Sequence, residues 1–198
     1  MKDSVIKTSV ILAGGYGTRL GKEFQNTPKS IIKIDKYPLI ISQIKLLKKY
    51  KIKLIYIVLG YQSEKIKKTI NKYKNIKDNV RYIYDDKLIG TSYAISLAIS
   101  KIKKNFFLLY GDIFLDINFK NISNFHYLKK SKLTVVTQYN ANPLDSDHVT
   151  LHKENQIKKI IPRNKIKNIK KKSLSTAALF VIDPKTIKIK LLVNKKDF

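Results

Sequence analysis

The chain has 198 residues, 41 Lys and Arg against 14 Asp and Glu for a formal net charge of +27, and no cysteine. That length suits a single domain with a self-standing core; the lack of cysteine excludes disulfides and thiolate metal sites; and no apolar run nears the roughly 18 residues of a membrane span, nor does the N-terminus read as a secretory signal, so a soluble, cytoplasmic protein is expected. The charge invites a nucleic-acid reading, but Arg19, Arg81 and Arg163 are the only arginines among those 41, and the 38 lysines are scattered along the whole chain, which favours solvated lysine faces over a polynucleotide site.

In chain order, β-branched apolar runs of strand length occur at "SVILA" (9–13), "SIIKI" (30–34), "LIYIVLG" (54–60), "VRYIY" (80–84), "FFLLYG" (106–111) and "LTVVTQ" (133–138). Between them lie segments of helical length and period. "PLIISQIKLLKKY" (38–50) opens with Pro38 in a first turn, "SEKIKKTINKYK" (63–74) has Ser63 as an N-cap, and "TSYAISLAISKIKK" (91–104) and "NISNFHYLKKS" (121–131) follow. Strand and helix in alternation predict an α/β sheet covered on both faces, with ligands at the carboxyl ends of its strands. Beyond residue 141 the pattern shortens to "HVTLHK", "NQIKKII" and "STAALFVI", then a helical run after Pro184. The lysine-rich "NKIKNIKKK" (164–172) reads as an exposed, mobile loop. No linker divides the chain, so one domain over residues 1–198 is expected.

Four of only seven glycines fall in "VILAGGYGTRLG" (10–21), where a buried strand runs straight into a turn. That arrangement lets backbone N–H groups converge on phosphate. It is neither of two well-known phosphate loops. The dinucleotide fingerprint fails because Leu20 stands where the third glycine belongs, and the P-loop fails because Glu23 follows Gly21 and Lys22.

Four motifs in register, "LAGGYGTRLG" (12–21), "PKSIIKIDKYPLI" (28–40), "IGTSYAISLA" (89–98) and "FFLLYGDIFLDI" (106–117), resemble the sugar-phosphate nucleotidyltransferase family. "NPLDSDHVTL", "IPRNK" and "STAALFVIDP" further down are most similar to the guanylyltransferases acting on heptose 1-phosphates. The resemblance implies a Rossmann-like, mixed and mostly parallel sheet with helices on both faces. It also implies a Mg²⁺-dependent transfer in which an NTP and a sugar 1-phosphate give an NDP-sugar and pyrophosphate, a step toward lipopolysaccharide, capsule or S-layer glycan.

Such a reaction needs positioning and charge neutralisation more than a side-chain nucleophile. On the family's pattern, Leu12, Ala13, Gly14, Gly15, Gly17 and Thr18 bring the first turn onto the nucleotide. Arg19 forks onto the departing pyrophosphate, and Lys29, stiffened by Pro28, faces the α-phosphate. Asp112 follows a buried strand and is the expected Mg²⁺ ligand; Asp116 is expected to cap or close a turn instead. Gly90 and Thr91 open a helix beside the base, and Asp85 has the acceptors to pair with guanine's N1–H and amino donors, which favours GTP unless Asp85 and Asp86 are merely solvated loop acids. Arg163 takes the place of a sugar-phosphate lysine, while the asparagine-glycine common in the "STAALF" strand is absent. His148 and His152 read as incidental. The second metal-binding aspartate of relatives falls beyond Phe198, so a fragment or a reduced member is expected. The alternative from a different class is a catalytically inactive relative that binds RNA or another polyanion through its lysines.

Overall fold

The computed structural model describes residues 5–15, 26–139, 146–166 and 173–187. These gather into two compact units, Met1–Leu133 with Val181–Phe198, and Thr134–Phe180.

The first unit begins with β1 (Thr8–Leu12). A 3-10 turn at Lys29–Ile31 precedes the hairpin β2 (Lys33–Ile34) and β3 (Tyr37–Pro38), which leads into α1 (Leu39–Lys49). Then come β4 (Leu54–Leu59), α2 (Ser63–Asn71), α3 (Lys74–Lys77), β5 (Val80–Tyr84), α4 (Thr91–Lys101), β6 (Phe106–Tyr110) and α5 (Phe119–Leu128). The strands pair in parallel in the order β5-β4-β1-β6. Successive residues of a strand face opposite sides of its sheet. Ser9, Val10 and Ile11 are all fully buried, as are Phe106 and Phe107, so both sides of the sheet are covered at β1 and β6. That accounts for unbroken apolar runs where a half-exposed sheet would alternate.

From β1 the chain first adds strands on one side, to β4 and β5, and then crosses to the other side at β6. The order therefore reverses between β1 and β6, and the crevice beyond their carboxyl ends is the place such sheets reserve for ligands. Helix α1 buries Leu39, Ile40, Ile41, Ile44 and Leu47. Each of these contributes about 1.5–3 kcal/mol by leaving water.

Two local expectations are corrected. "SIIKI" does not form one strand: Pro28 (ψ 132°) and Ile32 (ψ 133°) bracket a 3-10 turn, and only Lys33 and Ile34 pair, in the hairpin. Ser63 is not an N-cap. The chain enters α2 through Gln62 in the left-handed conformation (φ 54°), with no side-chain cap. By contrast α5 is capped by Asn118, whose side chain accepts from the Lys120 and Asn121 amides; Asp116, two residues earlier, is exposed.

The second unit holds most of β7 (Leu133–Tyr139) and β10 (Leu174–Ile182), with β8 (His148–Leu151) and β9 (Ile157–Ile161) between them in the chain. β8 runs antiparallel to both β9 and β10, and β7 also pairs with β10. His148 is buried on β8 and His152 is exposed beyond it. After Pro184 a 3-10 turn (Pro184–Thr186) is capped by Asp183; the rest of the helical run expected there, and residues 167–172 of the expected loop, lie outside the described residues.

Candidate active site

The carboxyl ends of β1, β4, β5 and β6 open into a cleft of about 440 Å³ within the first unit. Its walls include Leu12, Ala13, Gly14 and Gly15 from β1 and its exit, Lys29 and Ser30 from the 3-10 turn, and Asp85 and Leu88 beyond β5. Gly90, Thr91 and Ala94 come from the start of α4, and Tyr110, Gly111 and Asp112 from the exit of β6. Four motifs separated by up to a hundred residues thus meet in one place. Gly17, Thr18 and Arg19 lie outside the described residues.

The glycines divide by their surroundings. A Cβ on Gly111 would stand 2.7 Å from the Leu12 carbonyl oxygen, and its N–H donates to that same oxygen at 2.8 Å. A Cβ on Gly60 would press on Gly14, 2.9 Å from its carbonyl oxygen, and one on Gly14 would come 3.0 Å from the Gly60 nitrogen. Gly60 and Gly111 are therefore explained by backbones passing close to one another, where a side chain forces a shift, and Gly14 by a tighter-than-usual approach to Gly60. Gly15 is different: among the described residues a Cβ there meets nothing within 4 Å. It borders open cleft. Gly60 escaped the sequence reading, although a glycine ending a fully apolar strand was the available signal.

Lys29 and Asp112 carry the charge. Their Nζ and Oδ2 atoms lie 3.6 Å apart with side chains 27% and 43% exposed. An ion pair so accessible to water adds only about 0–1 kcal/mol to stability. The fold has little use for it, which leaves both groups available to a ligand. Asp85 is no solvated loop acid: it is only 6% exposed, and its Oδ1 accepts the Leu88 N–H at 2.9 Å, closing the turn after β5. Asp86 beside it is exposed. Helix α4 starts behind Gly90, whose φ of 119° belongs to glycine, and presents its N-terminal turn to the cleft through Thr91. Such a terminus favours negative charge.

Arg163 belongs to the second unit. It opens a 3-10 turn (Arg163–Lys165) whose first N–H donates to Asp147 Oδ1 at 3.0 Å, and the residue is exposed. Sequence reasoning also overlooked Ser30 and Gln43. Ser30 is buried in the cleft wall, and its Oγ finds no hydrogen-bond partner among the described residues.

Residues 8–178 match the family described as Nucleotidyl transferase. A mannose-1-phosphate guanyltransferase from Kluyveromyces lactis is 31% identical over 131 residues, which are 64% of this chain and 36% of that protein. The chain spans little more than a third of the length of this relative. Among solved structures, a putative glucose-1-phosphate thymidylyltransferase from Bacillus anthracis in complex with a sucrose superposes with a TM-score of 0.82 at 20% identity, covering 98% of this chain and 76% of its own. HddC from Yersinia pseudotuberculosis complexed with GMP-PN gives 0.77 at 19%, covering 97% and 81%. These likenesses show the fold, an α/β architecture on a mixed, mostly parallel sheet with helices.

Proposed function

The chain belongs to the nucleotidyl transferase family, and from that premise we propose that it joins an NTP to a sugar 1-phosphate, giving an NDP-sugar and pyrophosphate. The observation that carries this reading is the Lys29 and Asp112 pair at the mouth of a glycine-walled cleft, set where the strand order reverses. A phosphate oxygen of the sugar 1-phosphate attacks the α-phosphorus in line; the new P–O bond forms as the bond to the β-phosphate oxygen breaks, and pyrophosphate takes the electron pair. The chain's own contribution is placement. The open edge at Gly15 admits the triphosphate, the Lys29 ammonium neutralises the α-phosphate as charge builds on it, and Arg19 holds the leaving pyrophosphate.

The donor set suits Mg²⁺. Among the described residues no three His, Cys, Asp or Glu converge into a metal cage, and Mg²⁺ at nucleotide sites uses only one or two carboxylates, with phosphates and water completing its shell. Asp112 is the carboxylate that would hold it, where the ion would supply charge neutralisation to the phosphates.

GTP is the favoured nucleotide. Asp85 stands in the cleft wall as a buried acceptor, the complement of guanine's N1–H and amino group, and a relative is named a guanyltransferase. For the sugar, heptose 1-phosphate is the favoured partner, with Arg163 on its phosphate; the motifs after residue 141 support it. The setting is the cytoplasm. Among the described residues no helix is long and apolar enough to cross a membrane.

The test is pyrophosphate release from the purified chain. Release that requires both GTP and a sugar 1-phosphate, exceeds that with UTP or dTTP, and disappears in Asp112→Ala supports the proposal. Salt-sensitive RNA retention without any such release would replace it with the polyanion-binding alternative.

A further inference from the structure

Helix α1 turns an apolar face to the core, and one amide interrupts it. Gln43 is 2% exposed among Leu39, Ile40, Ile44 and Leu47. A buried amide is costly there unless its hydrogen bonds are met. Its Nε2 donates twice, to the Tyr110 carbonyl at 2.9 Å and to the Ile113 carbonyl at 2.7 Å. Both partners can only accept, so the chemistry itself assigns the NH₂ end of the amide to them. Oε1, at the other end, finds no partner among the described residues. Among the described residues, the hydrogen bonds of the Gln43 side chain are those two donated ones.

The two carbonyls bracket Gly111 and Asp112. Between them the Gly111 N–H is tied to Leu12 at the end of β1. The same helix holds the other half of the charged pair: the Leu39 N–H donates at 3.0 Å to the Ile32 carbonyl, just past the turn that carries Lys29. One rigid helix thus grips both the Lys29 turn and the Asp112 loop. We infer that Gln43 is a positioning residue for the nucleotide site, clamping the loop so that Asp112 stands at a set distance from Lys29 and can take a metal-bound nucleotide without first reordering. The role in nucleotide binding rests on the function proposed above; the clamp itself does not.

Two measurements keep these apart, made on the 198-residue chain as wild type, Gln43→Met and Gln43→Glu. Methionine keeps the length and removes both donors. The first measurement is amide hydrogen exchange. In Gln43→Met, Gly111 exchanges about tenfold or more faster, as loss of two hydrogen bonds implies, while Ile11 and Ile57 in β1 and β4 keep their protection. The second is GTP affinity with and without Mg²⁺. The gain that Mg²⁺ confers falls by about 10- to 100-fold, the usual cost of losing a partner that orients a ligand, and the affinity without metal stays as in wild type.

Gln43→Glu supplies a signature that mere packing would not produce. Its carboxyl donates one hydrogen bond when protonated and repels the same carbonyls when ionised, so Gly111 protection rises toward the wild-type value as pH falls. Unchanged Gly111 exchange in Gln43→Met, or equal acceleration in β1 and β4, overturns the clamp. If Gln43→Met does not fold, the pH response of Gln43→Glu decides, and a flat response overturns it. Should wild type bind no GTP, the proposed function fails while exchange still judges the clamp.

Discussion

The two ends of the parallel strands in the first unit make an instructive pair. The carboxyl ends open into the cleft of about 440 Å³, and the amino ends into a depression of about 470 Å³ lined by Val5, Tyr50 and five lysines, Lys7, Lys49, Lys51, Lys53 and Lys120. Size does not distinguish them. Positive charge favours the amino end, where no carboxylate lines the wall among the described residues. Among the described residues the carboxyl end instead combines one lysine, two aspartates, a helix N-terminus and backbone at close quarters. In a chain this rich in lysine, basic charge collects wherever water can solvate it; selective phosphate chemistry needs donors fixed in place and a carboxylate to hold a cation.

The sharpest way to break this contrast is at Asp112. We expect Asp112→Ala to lower pyrophosphate release by about 10³-fold, at the upper end of what one preorganised group contributes, whereas exchanging Lys51 and Lys53 together for glutamate leaves release unchanged. A stopped assay on both variants compares the ends directly. Arg19→Ala comes next, with a fall of about 10²-fold. Unchanged turnover there would remove Arg19 from the site.

The glycines sharpen the comparison within the cleft. Gly111→Ala forces a Cβ against the Leu12 carbonyl and destabilises the chain by about 1–3 kcal/mol, the range for overpacking. Gly15→Ala meets no atom of the described residues, so its melting temperature is expected to stay at the wild-type value while GTP affinity drops. Thermal melts and titrations of the two variants separate a glycine kept for folding from one kept for the ligand.

The smallest effect belongs to the amino end of β6. His126 is buried on α5, with Nε2 3.0 Å from Asn105 Nδ2. Burial holds its pKa below the usual 6.5, although Asp183 pulls weakly the other way. The unfolded chain therefore takes up a proton before the folded one does as pH falls through 6.5. Stability is lost progressively below that pH, down to the lowered folded-state pKa. Melts between pH 7 and 5 should show a smaller acid-side decline in His126→Gln than in wild type.

How much of this was legible follows from burial. β4 and β6 stand within a residue of their apolar runs, because a strand covered on both faces has no reason to alternate; β5, with Arg81 and Tyr84 exposed, was legible from its β-branched and aromatic residues instead. "SIIKI" has the same composition, but its conformation is set by Pro28 ahead of it and by the hairpin after it, where Asp35 turns through φ 57°. Composition could not distinguish a turn from a strand there. The motif residues that line the cleft were found because they are local in sequence. Gln43 and Gly60 were not, because each owes its role to a backbone far along the chain: Gln43 to carbonyls 67 and 70 residues away, and Gly60 to the exit of β1. The clue to Gln43 was a lone amide at helical spacing among Leu39, Ile40, Ile44 and Leu47.

The most direct test of the central claim is a structure of the chain determined with GTP and Mg²⁺. The account predicts the triphosphate against the edge at Gly15, with Lys29 on the α-phosphate and Asp112 on the ion. A triphosphate seated instead among Lys7, Lys51 and Lys53, with the cleft at the carboxyl ends empty, would contradict it.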